Sequence, residues 1–287
     1  MYDCFRNIVS FGVILSFLFI RCSSNTQPVI IKSPPGYNMK SAIQVKLPLE
    51  LDEISGVVYY PVDSSIFAIN DEKGWLYKIK KGRKIQRWKF SQGADFEDVV
   101  LLDSIFYVLQ SNGNIMRLTF SGQNTVNVQH FYFDKTGQGA NEFEILYYDP
   151  GKRKMILICK DCESDKKKSL TTFSFDPHSG QYNDSSFQID VTKIAAAIGE
   201  EKIRFKPSAA SINPKTGELF IISAINKLLV IADTDGHFKQ AYKIDPGVFK
   251  QPEGLGFTPA GDLIISNEAA DVGVADILFF TYQNKKG

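Results

Sequence analysis

Five stretches of this 287-residue chain set a polar residue at the start of one apolar run and a second polar group at the end of the next. They open at Glu53, Glu97, Glu144, Ser208 and Glu253, which lie 44, 47, 64 and 45 residues apart. The second polar groups are Asn70-Asp71-Glu72, Gln110-Ser111, Lys160-Asp161, Ser223 and Asn267-Glu268. If the two runs of a unit pair antiparallel, the start of the first lies beside the end of the second, so all five positions face one opening. Carboxylates crowded into a partly dry channel repel one another and hold their pKa values high. Protonation, a bound cation or cationic side chains must offset that repulsion. Lys160, Arg204 and Lys206 are the candidate side chains, the last two just ahead of Ser208, the one ring position without a Glu. Oxygen ligands with no His or thiolate beside them suit a hard cation such as Ca²⁺ or Mg²⁺. The candidate metal ligands are therefore Glu53, Glu97, Glu144, Glu253 and Glu268. The wider ligand-facing set adds Asp71, Glu72, Lys160, Arg204, Lys206 and Ser208, with Asp95, Glu142 and Asp271 close to the same rim. An architectural alternative gives each Glu the task of capping backbone N–H groups where its unit begins.

These positions need a scaffold that repeats, and the chain supplies one. A period near 45 residues with four short strands per unit is the pattern of a propeller blade and not of a helical solenoid. In the first unit Trp75-Leu76-Tyr77-Lys78-Ile79 and Ile85-Gln86-Arg87-Trp88-Lys89-Phe90 add a third and fourth strand, punctuated by Gly74 and Gly82. The expectation is an all-β fold, a single β-propeller of five blades, rather than six, with four antiparallel strands each. The last unit has three strands of its own. Ile43-Gln44-Val45-Lys46-Leu47-Pro48 supplies the fourth, so the N-terminal strand closes the last blade. The 64-residue spacing contains Asp190 to Gly199, which has apolar residues at helical spacing, an acidic start and a Gly stop; it predicts one inserted helix.

A net charge of +1 with 23% charged residues is that of an ordinary soluble surface and offers no basic excess for nucleic acid. The first 21 residues differ. Ile8 to Ile20 is nearly all apolar, too short for a comfortable membrane span and of the right length for a signal-peptide core. Cys22 follows directly, as at a bacterial lipoprotein processing site, although Arg21 stands where a small residue is usual. The expected organisation is a signal peptide over 1–21, a polar tether over 22–39 and the propeller over 40–287. Acylation of Cys22 would hold a monomeric domain at a membrane surface as an exported lipoprotein. Of the other cysteines, Cys4 lies in the leader, and Cys159-Lys160-Asp161-Cys162 reads as a local disulfide or two inert thiols, with no second such pair and only scattered histidines to build a zinc site. No Gly-x-Ser-x-Gly elbow and no phosphate-cradling glycine loop occurs.

The chain resembles the SdiA-regulated (YjiK-like) family of bacterial propellers, which is related to the esterase-like phytase propellers. The matching pieces are Leu51-Asp52-Glu53-Ile54-Ser55-Gly56, Asn70-Asp71-Glu72-Lys73-Gly74-Trp75-Leu76-Tyr77, Asp95-Phe96-Glu97-Asp98, Pro207-Ser208-Ala209-Ala210 and Gln251-Pro252-Glu253-Gly254-Leu255. The chain departs from the family pattern at Asp98 and Ile145, where a Gly after the Glu is usual. The resemblance implies a membrane-associated propeller facing the periplasm, with calcium binding or calcium-linked regulation among relatives. It also keeps open a calcium-dependent phosphoesterase, in which ions on a carboxylate rim hold phosphate and activate water. A protein-interaction platform with an inert channel is the third reading.

Overall fold

Each blade of the molecule is a strand meander whose burial falls from the centre outward, and the sequence shows why. Second strands such as Ser65–Asn70 and Leu219–Ser223 are buried at every residue, because a blade is covered on both faces by its neighbours. Outermost strands such as Gln86–Lys89 and Phe238–Lys243 keep polar residues in water. The computed structural model describes residues 32–122, 124–134, 141–165, 168–183, 186–269 and 273–284. The apolar leader, Cys22 and Asp271 lie outside the described residues.

Strand β1 (Ile43–Lys46) comes first in sequence and last in the ring. Blade 1 is β2 (Ile54–Tyr60), β3 (Ser65–Asn70), β4 (Trp75–Ile79) and β5 (Gln86–Lys89). Blade 2 is β6 (Phe96–Leu102), β7 (Ile105–Gln110), β8 (Ile115–Phe120) and β9 (Val126–Phe131). Blade 3 is β10 (Asn141–Asp149), β11 (Lys154–Cys162), β12 (Ser169–Asp176) and β13 (Gln181–Asn183), and β14 (Gln188–Asp190) pairs with the other half of β12. Helix α1 (Val191–Ala197) follows, with the Asp190 side chain accepting the Thr192 N–H as N-cap. Blade 4 is β15 (Ala209–Ile212), β16 (Leu219–Ser223), β17 (Leu228–Ala232) and β18 (Phe238–Lys243). Blade 5 is β19 (Pro252–Phe257), β20 (Leu263–Asn267) and β21 (Asp276–Phe280), completed by β1. Five four-stranded antiparallel blades and the N-terminal closure therefore match the expectation.

The core is divided among the interfaces between blades. Phe67, Phe96, Phe106 and Leu118 fill the space between blades 1 and 2; Phe143, Leu157, Phe173 and Phe175 belong to the next. Burying each such side chain stabilises the fold by about 1.5–3 kcal/mol. The closing strand pairs Ile43 with Phe279 and Lys46 with Asp276, and Leu47 and Leu51 enter the core between blades 5 and 1. Tyr37 and Met39 are also buried, in the core between blades 4 and 5, so packed chain begins ahead of residue 40. The polar, Pro-rich look of residues 33–36 hides these two anchors.

At two of the places where first strands of adjacent blades converge there is no room for a side chain. A Cβ on Gly56 would lie 2.5 Å from the Val99 nitrogen, and one on Gly254 would lie 2.7 Å from the Ser55 carbonyl oxygen.

Candidate functional site: an acidic channel mouth

The site is made by β-bulges. In blades 2, 3 and 5 the first strand carries an extra residue near its start, between Phe96 and Asp98, between Phe143 and Ile145, and between Pro252 and Gly254. The extra residues are Glu97, Glu144 and Glu253. A bulge leaves one residue out of the ladder and re-aims its side chain. In blade 1 the irregularity falls between Ile54 and Val57, at Ser55 and Gly56, and not at Glu53. Backbone bonds agree. The Glu53 carbonyl accepts the Asp71 N–H at 3.2 Å, as that of Asp95 accepts Ser111 and that of Gln251 accepts Glu268. Glu53 is thus the equivalent of Asp95 and Gln251. The expected ring of four glutamates is corrected to three at the bulges, with Ser55 and Ser208 at the other two positions. A two-residue offset keeps every side chain on its own face of the strand, so alternation of polar and apolar residues could not reveal it.

The five expected metal ligands do not form one set. Glu97, Glu144 and Glu253, the bulge residues, act chiefly on one another; Glu268 feels Asp71 and Glu53 first and links the two sets through Glu253 and Glu144, with exposed Glu72 and Asp95 at the same rim. Glu144, buried, accepts a short hydrogen bond from Lys160, whose ammonium also lies 3.2 Å from Glu142. Arg204 and Lys206 do not reach the ring: both pair with Asp161, Lys206 at 3.1 Å. The Ser208 hydroxyl is used structurally, donating to the Pro252 carbonyl at 2.6 Å and accepting the Ala224 N–H. The link between Cys159 and Cys162 is a disulfide, and it spans the irregular turn of β11 that carries Lys160 and Asp161.

Electrostatics follow from this division. Burial, then Glu144 and Asp95, push the Glu97 carboxyl up to about 9. Burial, then Glu144 and Glu268, push Glu253 up to about 8. Glu268 rises to about 7 through burial, Asp71 and Glu53, against a 2.7 Å hydrogen bond from Gln251. Asp71 rises to about 6 through burial, Glu53 and Glu72, and its buried Oδ1 has no hydrogen-bond partner among the described residues. Burial works against the charge of Lys160, but Glu144 and Glu142 hold its pKa above the ordinary lysine value. Burial lowers that of Lys227, which donates to the Lys250 carbonyl and feels Glu253. Gln251 and Lys227 are not among the expected site residues: Gln251 opens the Gln251-Pro252-Glu253-Gly254-Leu255 piece, in which only Glu253 reads as a ligand, and Lys227 lies in no motif, marked only by its place ahead of β17.

Carboxylate oxygens bound directly to one Ca²⁺ at 2.3–2.6 Å lie within about 5 Å of each other. Among the described residues no three ring carboxylates approach one another within 4.8 Å, and the one such group is Cys159, Cys162 and Asp165. Two sulfurs joined in a disulfide offer no thiolate. The mouth as it stands fits a cation that keeps much of its water, or an organic ammonium group, better than a bare calcium ion.

The other end of the channel is different. A cavity of about 550 Å³ opens there, walled by Val57, Val99, Leu146, Ala210 and Leu255, with Tyr59, Tyr148 and Phe257 toward its rim. Asp98, also missed, lines it while fully buried, accepting N–H groups from Val99 at 2.8 Å and Leu146 at 3.0 Å. Burial holds its carboxyl well above the usual range.

The family model described as SdiA-regulated matches residues 33–271. No curated protein sequence matches the chain. Among solved structures, glutaminyl cyclase of Myxococcus xanthus is similar at 10% identity and a TM-score of 0.55, over 85% of this chain and 98% of that one. An aldose sugar dehydrogenase from Streptomyces coelicolor is similar at 9% and 0.53, over 87% and 99%. A luciferin-regenerating enzyme is similar at 12% and 0.52, over 84% and 95%. At such identities these likenesses concern the fold alone.

Proposed function

The chain belongs to the SdiA-regulated family, and we propose that it is an exported propeller, anchored to a membrane through acylated Cys22, whose acidic mouth binds a cation. In this reading residues 1–21 are removed as a signal peptide, and the monomeric propeller stands at the membrane surface on the chain that follows. The ligand is a partly hydrated divalent ion, with calcium foremost, or a small organic cation. One observation carries the reading: Glu97, Glu253 and Asp71 are crowded, partly buried carboxylates that make no ion pair among the described residues, Lys160 and Lys227 acting on Glu253, and Lys160 on Glu97, only from a distance. With at most two direct carboxylate ligands at any point, affinity for Ca²⁺ belongs in the range of about 10⁻⁴–10⁻³ M.

Calorimetric titration with CaCl₂, MgCl₂ and spermidine tests it. Heat of binding for at least one, lost in Glu97→Gln/Glu253→Gln, is the expected result; no heat for any of the three overturns it. A phosphoesterase needs a free cationic side chain or a tightly held metal against the phosphate. Lys160 is committed to Glu142 and Glu144, and Arg204 and Lys206 to Asp161. That reading is accordingly the weaker one, and a phosphate-ester panel that turns over only with calcium would restore it.

A further inference from the structure

The strands have a direction, and it fixes where the chain from the N-terminus arrives. First strands run away from the acidic mouth, so the β19–β20 turn at Thr258–Asp262 lies on the opposite face. Strand β21 runs the same way as β19, and β1, antiparallel to it, therefore begins on that opposite face at Ile43. The chain ahead of β1 is held there: the Tyr37 hydroxyl donates to the Gly261 carbonyl at 2.6 Å and accepts from Asn213 at 2.8 Å, and both partners sit in turns of that face.

The same face carries the most basic segment of the molecule. Strand β4 also runs away from the acidic mouth, and the β4–β5 hairpin presents Lys80, Lys81, Arg83 and Lys84, all exposed. Lys80 lies 3.6 Å from Asp63, which is already paired with Lys78 at 2.8 Å. Lys81, Arg83 and Lys84 make no ion pair among the described residues. Elsewhere on this face Lys152 is matched by Asp149 and Asp235 and Lys154 by Asp176, while Arg153 and Lys215 stand singly in their turns without an ion pair among the described residues, so the hairpin is the one place where such cations cluster among them. Beside the hairpin Val62 is 77% exposed, and Ile43, at the start of β1, is 61% exposed.

We propose that this face docks on an anionic lipid surface through the Lys80–Lys84 hairpin, which turns the acidic mouth toward the aqueous phase. Unmatched cations at a loop tip with apolar side chains beside them suit the headgroup region of an anionic bilayer. The carboxylate mouth on the far side is repelled by the same surface, so the two faces set one orientation. The inference leans on the Cys22 anchor only for the direction from which the chain arrives, and the hairpin's charge stands apart from it. A chain that lacks acylation but partitions through the hairpin would fell the anchor and leave this proposal standing.

The test measures partitioning of the full chain onto phosphatidylcholine vesicles with and without 30% phosphatidylglycerol, at low and high salt. A preference for anionic vesicles is expected, weakened by salt as the Debye length shrinks. Each cation near the surface is worth a factor of about five, so Lys81→Glu/Arg83→Glu/Lys84→Glu should cut the preference at least tenfold. In the unaltered chain, bound vesicles should protect Lys81 and Lys84 from amine acylation and leave Lys73, exposed at the acidic end of the same blade, as reactive as before. An unchanged preference in the triple variant, or protection of Lys73 in place of Lys81 and Lys84, would overturn the proposal.

Discussion

The two mouths of the channel are built from opposite ends of the same five first strands, yet one gathers a cluster of carboxylates and the other is walled chiefly by apolar side chains around the single buried Asp98. The difference lies in backbone geometry as much as in composition. At the acidic end the ladder is broken by bulges in blades 1, 2, 3 and 5, and three of those bulges carry a Glu. At the other end the pairs Tyr60–Ser65, Leu102–Ile105, Asp149–Lys154 and Phe257–Leu263 run in regular register. Regular pairing leaves side chains packed between blades. A bulge frees one to face the axis.

The sharpest way to break the acidic mouth is to remove its internal cation. Lys160→Met strands Glu144 in a buried position without its partner, and the loss of one member of a buried pair costs about 3–5 kcal/mol. Urea denaturation at pH 8 should show that loss, and the loss should shrink at pH 5 as Glu144 takes up a proton. A loss of the same size at both values would mean that Glu144 is solvated. The corresponding change at the far mouth is Asp98→Asn, which keeps one acceptor for the two N–H groups. It should cost about 1–3 kcal/mol, with cation binding unchanged; loss of binding would show that the two ends are not separate.

A smaller effect, of opposite sign, is expected from neutralising the bulges. Glu97, Glu253, Glu268 and Asp71 have native pKa values above their unfolded ones. Between pH 4.5 and 9 the native state holds more protons than the unfolded chain, so stability falls as pH rises through that window. Glu97→Gln/Glu253→Gln removes part of the repulsion. It should raise the thermal midpoint at pH 8, flatten the slope with pH, and change little at pH 4.5. A steeper slope in the variant would contradict the assignment. At the apolar mouth, Tyr59→Ala/Phe257→Ala should leave that slope as it is.

Much of this is legible in the sequence alone. Uninterrupted apolar runs such as Ile66-Phe67-Ala68-Ile69 and Leu219-Phe220-Ile221-Ile222, recurring with polar outer strands, are what a blade covered on both faces demands, and they predict five blades and the closing strand. Lys160 was legible as an internal cation because it ends a second strand. Position in the chain puts Arg204 and Lys206 beside the ring, but the single carboxylate of Asp161 holds both away from it. The offset at Glu53 was hidden because a shift of two conserves alternation, and only the hydrogen bonds separate Glu53 from Ser55. Tyr37 and Met39 were hidden by the Pro-Pro-Gly around them. Asp98 stands where the related unit has Gly254, and nothing local announces that its carboxylate bridges two blades.

The central claim is that the raised carboxylates of the mouth are waiting for positive charge. Titration of the protein with CaCl₂ at pH 7.5, in two buffers of different ionisation enthalpy, counts the protons that leave as the ion binds. Binding accompanied by proton release, with the release absent in Glu97→Gln/Glu253→Gln, is the predicted result. Calcium binding with no proton release, or release undiminished in that variant, would contradict the account.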